Sequence, residues 1–208
     1  MASEPVMSPR AARTRTALIA AGFDLLVERP IDAIPIDDVV ARAGVAKGSF
    51  FNHFADKSAF AEAIATQVRL ELEALVGEAN AGLADPVERM AGGMRVCAQF
   101  ALHQPKRAMV LIRSNASSTA QAHPLNQGLL ADVAAAADAG QVRAEAAEIG
   151  VLYWLGLCQI LMVNLLERRP DQDQASARLR AMIVLGLTGL GVAEDRSATV
   201  ADRQGALL

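Results

Sequence analysis

The stretch Ile36–Lys57, IDDVVARAGVAKGSFFNHFADK, decides how the chain is read. Ile36, Val39, Val40 and Ala43 repeat at i, i+3, i+4, i+7, the stripe of a short amphipathic helix. Pro35 opens this helix, and Asp37 and Asp38 fall in its first turn, where the helix dipole favours acids. Gly44 breaks it after about two turns, and Val45 follows as an apolar plug. A further short helix is predicted over about 46–54, burying Phe50 and Phe54 at i, i+4. Two short helices joined by a glycine turn, the second with a polar outer face, describe a helix-turn-helix. Duplex DNA suits this unit because its major groove is about one helix wide.

The outer face of the second helix carries the chemistry a polyanion needs. Lys47 can pair with a phosphate, and Gly48 lets backbone approach base edges closely. Ser49 and Asn52 bring short hydrogen-bonding groups, Phe51 an apolar surface for a thymine methyl, and His53 a ring N–H. Lys57 stands in the first turn of the next helix, near free backbone N–H groups that also attract phosphate. Each residue has a plainer reading alone: Phe51 as core, His53 as an exposed polar group, Gly44 as an ordinary turn. The spacing of all of them together favours DNA.

Working outward, residues 1–9 show no periodicity and are expected to be a mobile tail. From Arg10 a helix begins with Leu18, Ile19, Gly22, Phe23, Leu25 and Leu26 on one face, and Pro30 ends it. Arg10, Arg13 and Arg15 cluster at its start with no acid among them. Asp56 is a fitting N-cap for a long fourth helix to about Gly77. Beyond Gly82-Leu83-Ala84-Asp85-Pro86, helices are expected over about 86–103, 105–117, 124–139, 144–168 and 172–190, punctuated by Pro105, Pro124, Gly140 and Pro170. No strand alternation and no internal repeat appear, so the fold class is all-α.

Composition agrees. Of 208 residues 52% are apolar but only 4% aromatic, a balance that favours helix over sheet. The net charge of −3 bears little on nucleic acid, which responds to local potential rather than to the chain total. Cys97 and Cys158 lack CxxC or metal-like spacing and read as buried free thiols in a reducing cytoplasm. Two apolar runs raise the question of a membrane. Ala17–Val27 follows three arginines but is short, contains Asp24 and lacks a cleavage signal. Ile149–Leu166 contains Gln159 and Asn164 and reads as a buried helix rather than a span. No HExxH, P-loop, GxSxG or Cys–His signature is present, so an enzyme is not expected, and neither a cofactor nor a metal is implied.

The run Gly44-Val45-Ala46-Lys47-Gly48-Ser49-Phe50-Phe51-Asn52-His53-Phe54, followed by Lys57, resembles the DNA-binding signature of the TetR family, commonly G-V-S-K-G-x-L-Y-x-H-F-x-x-K. The resemblance covers about 50 N-terminal residues, and the rest of the chain matches only in length, helical character and helix order. It implies that Lys47, His53 and Lys57 touch phosphates, that Gly48, Ser49 and Phe51 lie nearest the bases, and that Asn52 sits at the groove edge. Ala46 departs from the usual hydroxyl and removes a cap. Phe51 departs from the usual tyrosine and removes its hydroxyl contact.

The resemblance further implies a reading head over 10–56, a ligand-binding and dimerisation domain over 57–195, and a C-terminal tail over 196–208. Ile149–Leu166 and Ala181–Val192 are apolar nearly all round and must be covered on all sides. Their own domain or a two-fold four-helix interface would do so, and the family's last two long helices usually form the latter. Gly186, Gly189 and Gly191 would permit close approach there. The middle helices could enclose an unidentified small-molecule effector, with Cys97, Phe100, His103, Met109, Arg113, Trp154 and Cys158 as lining residues beside Tyr153 and Met162. For each, core packing or, for Arg113, a surface salt bridge is the plainer role. The resulting expectation is a cytoplasmic, homodimeric, ligand-released repressor on a palindromic operator. An activator with the same reading head, or a helical interaction module, is the alternative.

Overall fold

The computed structural model describes residues 8–114 and 126–208, and within them all regular structure is helical. Helix α1 spans Pro9–Glu28. Ser8 caps it, its hydroxyl accepting the Ala11 N–H at 3.3 Å, and proline occupies the first position. Ser8 and Pro9 therefore belong to the helix start and not to the expected tail, whose remaining residues lie outside the described ones. After Pro30 a 3₁₀ turn over Ile31–Ala33 leads to α2, Ile36–Ala43, and then to α3, Lys47–Phe51. Helix α4 runs Lys57–Ala79, and the Asp56 carboxylate accepts the Ala59 N–H at 2.7 Å as the predicted cap. Helices α5, Pro86–His103, α6, Pro105–Arg113, α7, Gln127–Asp138, α8, Ala146–Arg168, and α9, Gln172–Gly189, follow the proline and glycine punctuation.

The chain divides into two compact units, Met1–Val68 with Met109–Ala116, and Arg69–Ala108 with Ser117–Leu208. The division differs from the expected one at residue 56: α4 and α6 each begin in one unit and end in the other. In the first unit Leu18, Leu25 and Leu26 of α1 are buried with Ile34, Val39, Phe50, Phe54, Phe60 and Ile64. Gly22 is what lets α4 close on α1, since a Cβ there would collide with the Phe60 ring and the Ile64 side chain. At the end of the unit Arg29 pairs with Asp38, and Arg42 with Glu28 at 2.8 Å, tying α2 to the end of α1.

In the second unit α5 is the centre and packs against α7, α8 and α9. The Trp154 indole N–H of α8 donates to the Met90 carbonyl of α5 at 3.2 Å. Arg89 of α5 meets Asp132 of α7 at 2.6 Å, although burial still pushes the Asp132 carboxyl above its usual range. The segment 196–208 is not a tail. Glu194–Gly205 forms α10, which packs on α9 and α5 with Val200 and Ala201 buried and the Gln204 side-chain amide oxygen accepting from Arg95 at 2.8 Å.

Helix α8 is the one described helix long and apolar enough to cross a membrane. It is not buried all round: Val151, Trp154, Cys158, Leu161 and Leu165 are buried, while Ile149, Leu152, Tyr153 and Ile160 are exposed. The glycines expected at an interface work within the chain instead. A Cβ at Gly186 would stand 2.8 Å from the Trp154 ring, and one at Gly189 would strike the Tyr153 hydroxyl. Gly191 has φ +95° and closes the turn after α9 against Arg143.

Replacing Gly22 with alanine should cost the first unit about 1–3 kcal/mol, because the buried Phe60 ring has no room to retreat. The check is the urea midpoint of the full chain followed by far-ultraviolet circular dichroism.

Candidate nucleic-acid interface

Helix α3 has five residues and no side-chain cap, as Ala46 predicts. Such a helix is placed by its surroundings rather than by its own hydrogen bonds. On one side the chain reverses at Gly44, which takes the left-handed φ of +67°. The Val45 N–H then donates to Val40 at 3.0 Å and the Gly44 N–H to Ala41 at 3.2 Å, closing the end of α2. On the other side Phe50 is fully buried. Its ring centroid lies 5.5 Å from Phe54 and 5.1 Å from Phe60, and Phe54 and Phe60 are 4.9 Å apart.

With Phe50 facing in, its neighbours face out. Lys47, Gly48, Phe51 and Asn52 are exposed, and Ser49 and His53 are half-buried. Phe51 is 53% exposed, so it is not core. A Cβ on Gly48 would meet nothing within 4 Å, so no packing inside the chain calls for glycine there. Lys47 pairs with Asp37 at 2.8 Å, but both side chains are more than half exposed, and such a pair contributes less than about 1 kcal/mol. A phosphate can displace it. The helix ends earlier than the sequence suggests, with residues 52–54 in a tightened turn where the His53 N–H donates to Phe50 at 3.0 Å.

Lys57 opens α4, in the first turn as expected, and its ammonium has main-chain partners besides. Its ammonium donates to the carbonyls of Asp32 at 3.1 Å and Ile34 at 3.3 Å, holding the 3₁₀ turn to the start of α4. Two of its three donors are thereby used. Arg15, read only as one of three early cations, lies with its guanidinium 5.4 Å from the Phe54 ring centroid. Its position one turn before the buried Leu18 is the signal for that contact.

Of the seven residues read as ligand-lining, two stand on one described cleft. Phe100 and His103 share this cleft of about 520 Å³, lined also by Leu75, Glu78, Val96 and Gln99. Trp154 is buried core, fixed by its bond to Met90. Met109 belongs to the first unit. Arg113 does too, donating to the carbonyls of Val27 at 2.5 Å and Leu26 at 3.4 Å, so it closes the C-terminal end of α1, and among the described residues it makes no salt bridge. Cys97 is half-buried, and Cys158 is buried. Sequence reasoning passed over Arg69, whose guanidinium donates to Glu73 at 2.9 Å and to the buried Asn126 at 2.5 Å. An arginine four residues after the buried Ala65, on the apolar side of α4, was the available sign.

The family model for bacterial regulatory proteins of the tetR family matches residues 18–64. Comparison with curated proteins gives no match by sequence. Among solved structures, a Shewanella sp. PV-4 protein assigned to the tetR transcription regulators superposes with a TM-score of 0.72 at 16% identity, over 85% of this chain and 97% of its own. RolR, solved in complex with resorcinol, gives 0.62 at 21% identity over 93% and 95%. A gamma-butyrolactone receptor gives 0.56 at 21% identity over 97% and 100%. At these identities the structures speak for the fold, and the family model speaks for the reading head. The family model thus matches the helix-turn-helix region in sequence, and the solved structures match the helical fold along most of the chain.

Proposed function

We propose that this protein is a homodimeric, sequence-specific transcriptional repressor of the cytoplasm, released from a palindromic operator by a small molecule. The observation that carries the DNA-binding part is the outward face of α3. Lys47, Gly48, Ser49, Phe51 and Asn52 are presented together above a buried Phe50, with a glycine that nothing inside the chain needs. In a major groove Lys47 meets a phosphate, Gly48 and Ser49 approach base edges, and Phe51 covers a thymine methyl. Arg10 and Arg13, exposed at the start of α1, add phosphate contacts.

An exposed apolar stripe supports the dimer. Ile149, Leu152, Tyr153, Gly156 and Ile160 repeat along one face of α8, and α9 adds Leu185, 68% exposed. Water is an unfavourable neighbour for such a face, and a second copy related by two-fold symmetry covers it with itself. Two reading heads then meet two half-sites of a palindrome.

Effector binding is placed in the second unit, at the cleft beside Phe100 and His103, whose volume lies in the range of small-molecule sites. RolR holding resorcinol and a receptor for gamma-butyrolactones, both of this fold, support a small organic effector. Helices α4 and α6 continue from that unit into the reading head, so a shift in either reaches it through the chain itself. Arg113, at the end of α6, holds the last carbonyls of α1 and gives that shift a point of attachment.

The protein should bind one palindromic segment of its own upstream intergenic DNA, with affinity falling steeply as salt rises. A Lys47→Ala/Asn52→Ala variant should lose that binding while keeping its helical content. Absence of binding to that DNA and to random duplexes by the folded dimer would rule the reading out.

The two glycines of the motif should separate. Gly44→Ala forfeits the left-handed turn and should cost about 1 kcal/mol in urea unfolding. Gly48→Ala should leave stability equal or raise it by up to about 1 kcal/mol, yet weaken operator binding at least about tenfold. Ile160→Glu with Leu185→Glu should give a monomer by light scattering, with the reading head still folded.

A further inference from the structure

The bases around the reading face are not equally free. Arg29 pairs with Asp38 and Arg42 with Glu28, and both pairs join α2 to the end of α1. Lys57 is engaged with the main-chain carbonyls of Asp32 and Ile34. The third pair differs. Lys47, at the start of α3, lies 2.8 Å from the carboxylate of Asp37, at the start of α2. Its side chains are 59% and 68% exposed, more than those of either other pair.

This pair is not what holds α2 and α3 together. The left-handed turn at Gly44, the bond from the Val45 N–H to Val40 and the buried Phe50 already do so. An ion pair this exposed adds little to them. What the carboxylate does is occupy the ammonium. Carboxylate and phosphate offer a lysine the same thing, an anionic oxygen at hydrogen-bond distance. Asp37 thus holds in the free protein the place that a phosphate takes in the complex.

We propose that Asp37 is an internal competitor of the DNA phosphate for Lys47 and limits the affinity of the reading head. The inference rests on the DNA-binding reading of the α3 face. When Lys47 moves to a phosphate, it frees the cation condensed there. The same move leaves Asp37 unpaired beside a polyanion, and a cation from solution gathers on it in exchange. Release and uptake nearly cancel. Lys47 then fixes the register of the complex but adds little to its salt-dependent attraction, which the exposed Arg10 and Arg13 supply. Without the carboxylate there is no uptake, and Lys47 counts as a full phosphate contact.

The test measures binding of the full-length protein to its own upstream intergenic DNA and to a pool of random-sequence duplexes, across a series of salt concentrations. Asp37→Asn should bind about three- to tenfold more tightly at low salt, with the slope of log affinity on log salt steeper by up to about 0.9. The advantage therefore fades as salt rises. Asp138→Asn makes the same charge change on an exposed acid at the end of α7, and should stay within about twofold of wild type. In a Lys47→Gln background, Asp37→Asn should gain less than about twofold, because no ammonium is left to release. Asp37→Ser should repeat the gain of Asp37→Asn, with circular dichroism checking that each variant is folded. Equal or weaker binding by both Asp37 variants, loss of folding in both, an equal gain in Asp138→Asn, or an undiminished gain without Lys47 would each overturn the proposal. Each of these would leave the DNA-binding reading standing. If no duplex were bound by wild type or variant at low salt, that reading would fall and the proposal with it.

Discussion

A five-residue helix cannot hold its own shape or direction, so everything α3 does depends on the Phe50 ring beneath it. Phe50, Phe54 and Phe60 form one aromatic cluster, and Gly22 allows α4 to bring Phe60 close enough to complete it. Rotate α3 by one residue and Phe51 would go in, Phe50 would come out, and the polar face would be scattered. The left-handed turn at Gly44 sets the direction from which the chain enters. The ion pairs Arg29–Asp38 and Arg42–Glu28 then fix α2, on which that turn is built. A surface able to recognise another molecule is therefore a by-product of where one ring is buried.

The second unit shows the opposite economy. Its centre is secured by specific bonds, Trp154 to Met90, Arg89 to Asp132 and Arg95 to Gln204, while one apolar flank of α8 and α9 is left open. Core helices are ordinarily apolar on the side they bury. A helix apolar on both sides, covered on one, carries more hydrophobic surface than its own chain can use.

Much of this was legible beforehand, for physical reasons that differ by element. Pro30, Pro35, Gly44, Pro86, Pro105 and Pro170 act on backbone geometry directly, so the helices they bound follow from sequence. The turn and the buried Phe50 and Phe54 follow from periodicity. Phe51 follows with them, because a helix that turns Phe50 and Phe54 inward turns the next residue out, and Phe51 is exposed. The partners of Lys57 were hidden because they are main-chain carbonyls more than twenty residues earlier, which carry no residue identity. Arg113 was hidden for the same reason. Helix α10 escaped because its buried stripe is Ser197, Val200, Ala201 and Gln204, helical in spacing but with a single large apolar residue. The open flank of α8 was invisible in kind: an all-apolar helix reads the same whether its second side meets its own core or a neighbour.

The most direct test of the central claim is selection of bound sequences from a library of random duplexes by the folded, full-length protein. The account predicts enrichment of an inverted repeat whose half-sites lie about one helical turn, roughly 34–36 Å, or a multiple of it apart. Binding with no enriched sequence, or no binding at low salt, would contradict the assignment of the α3 face to base recognition.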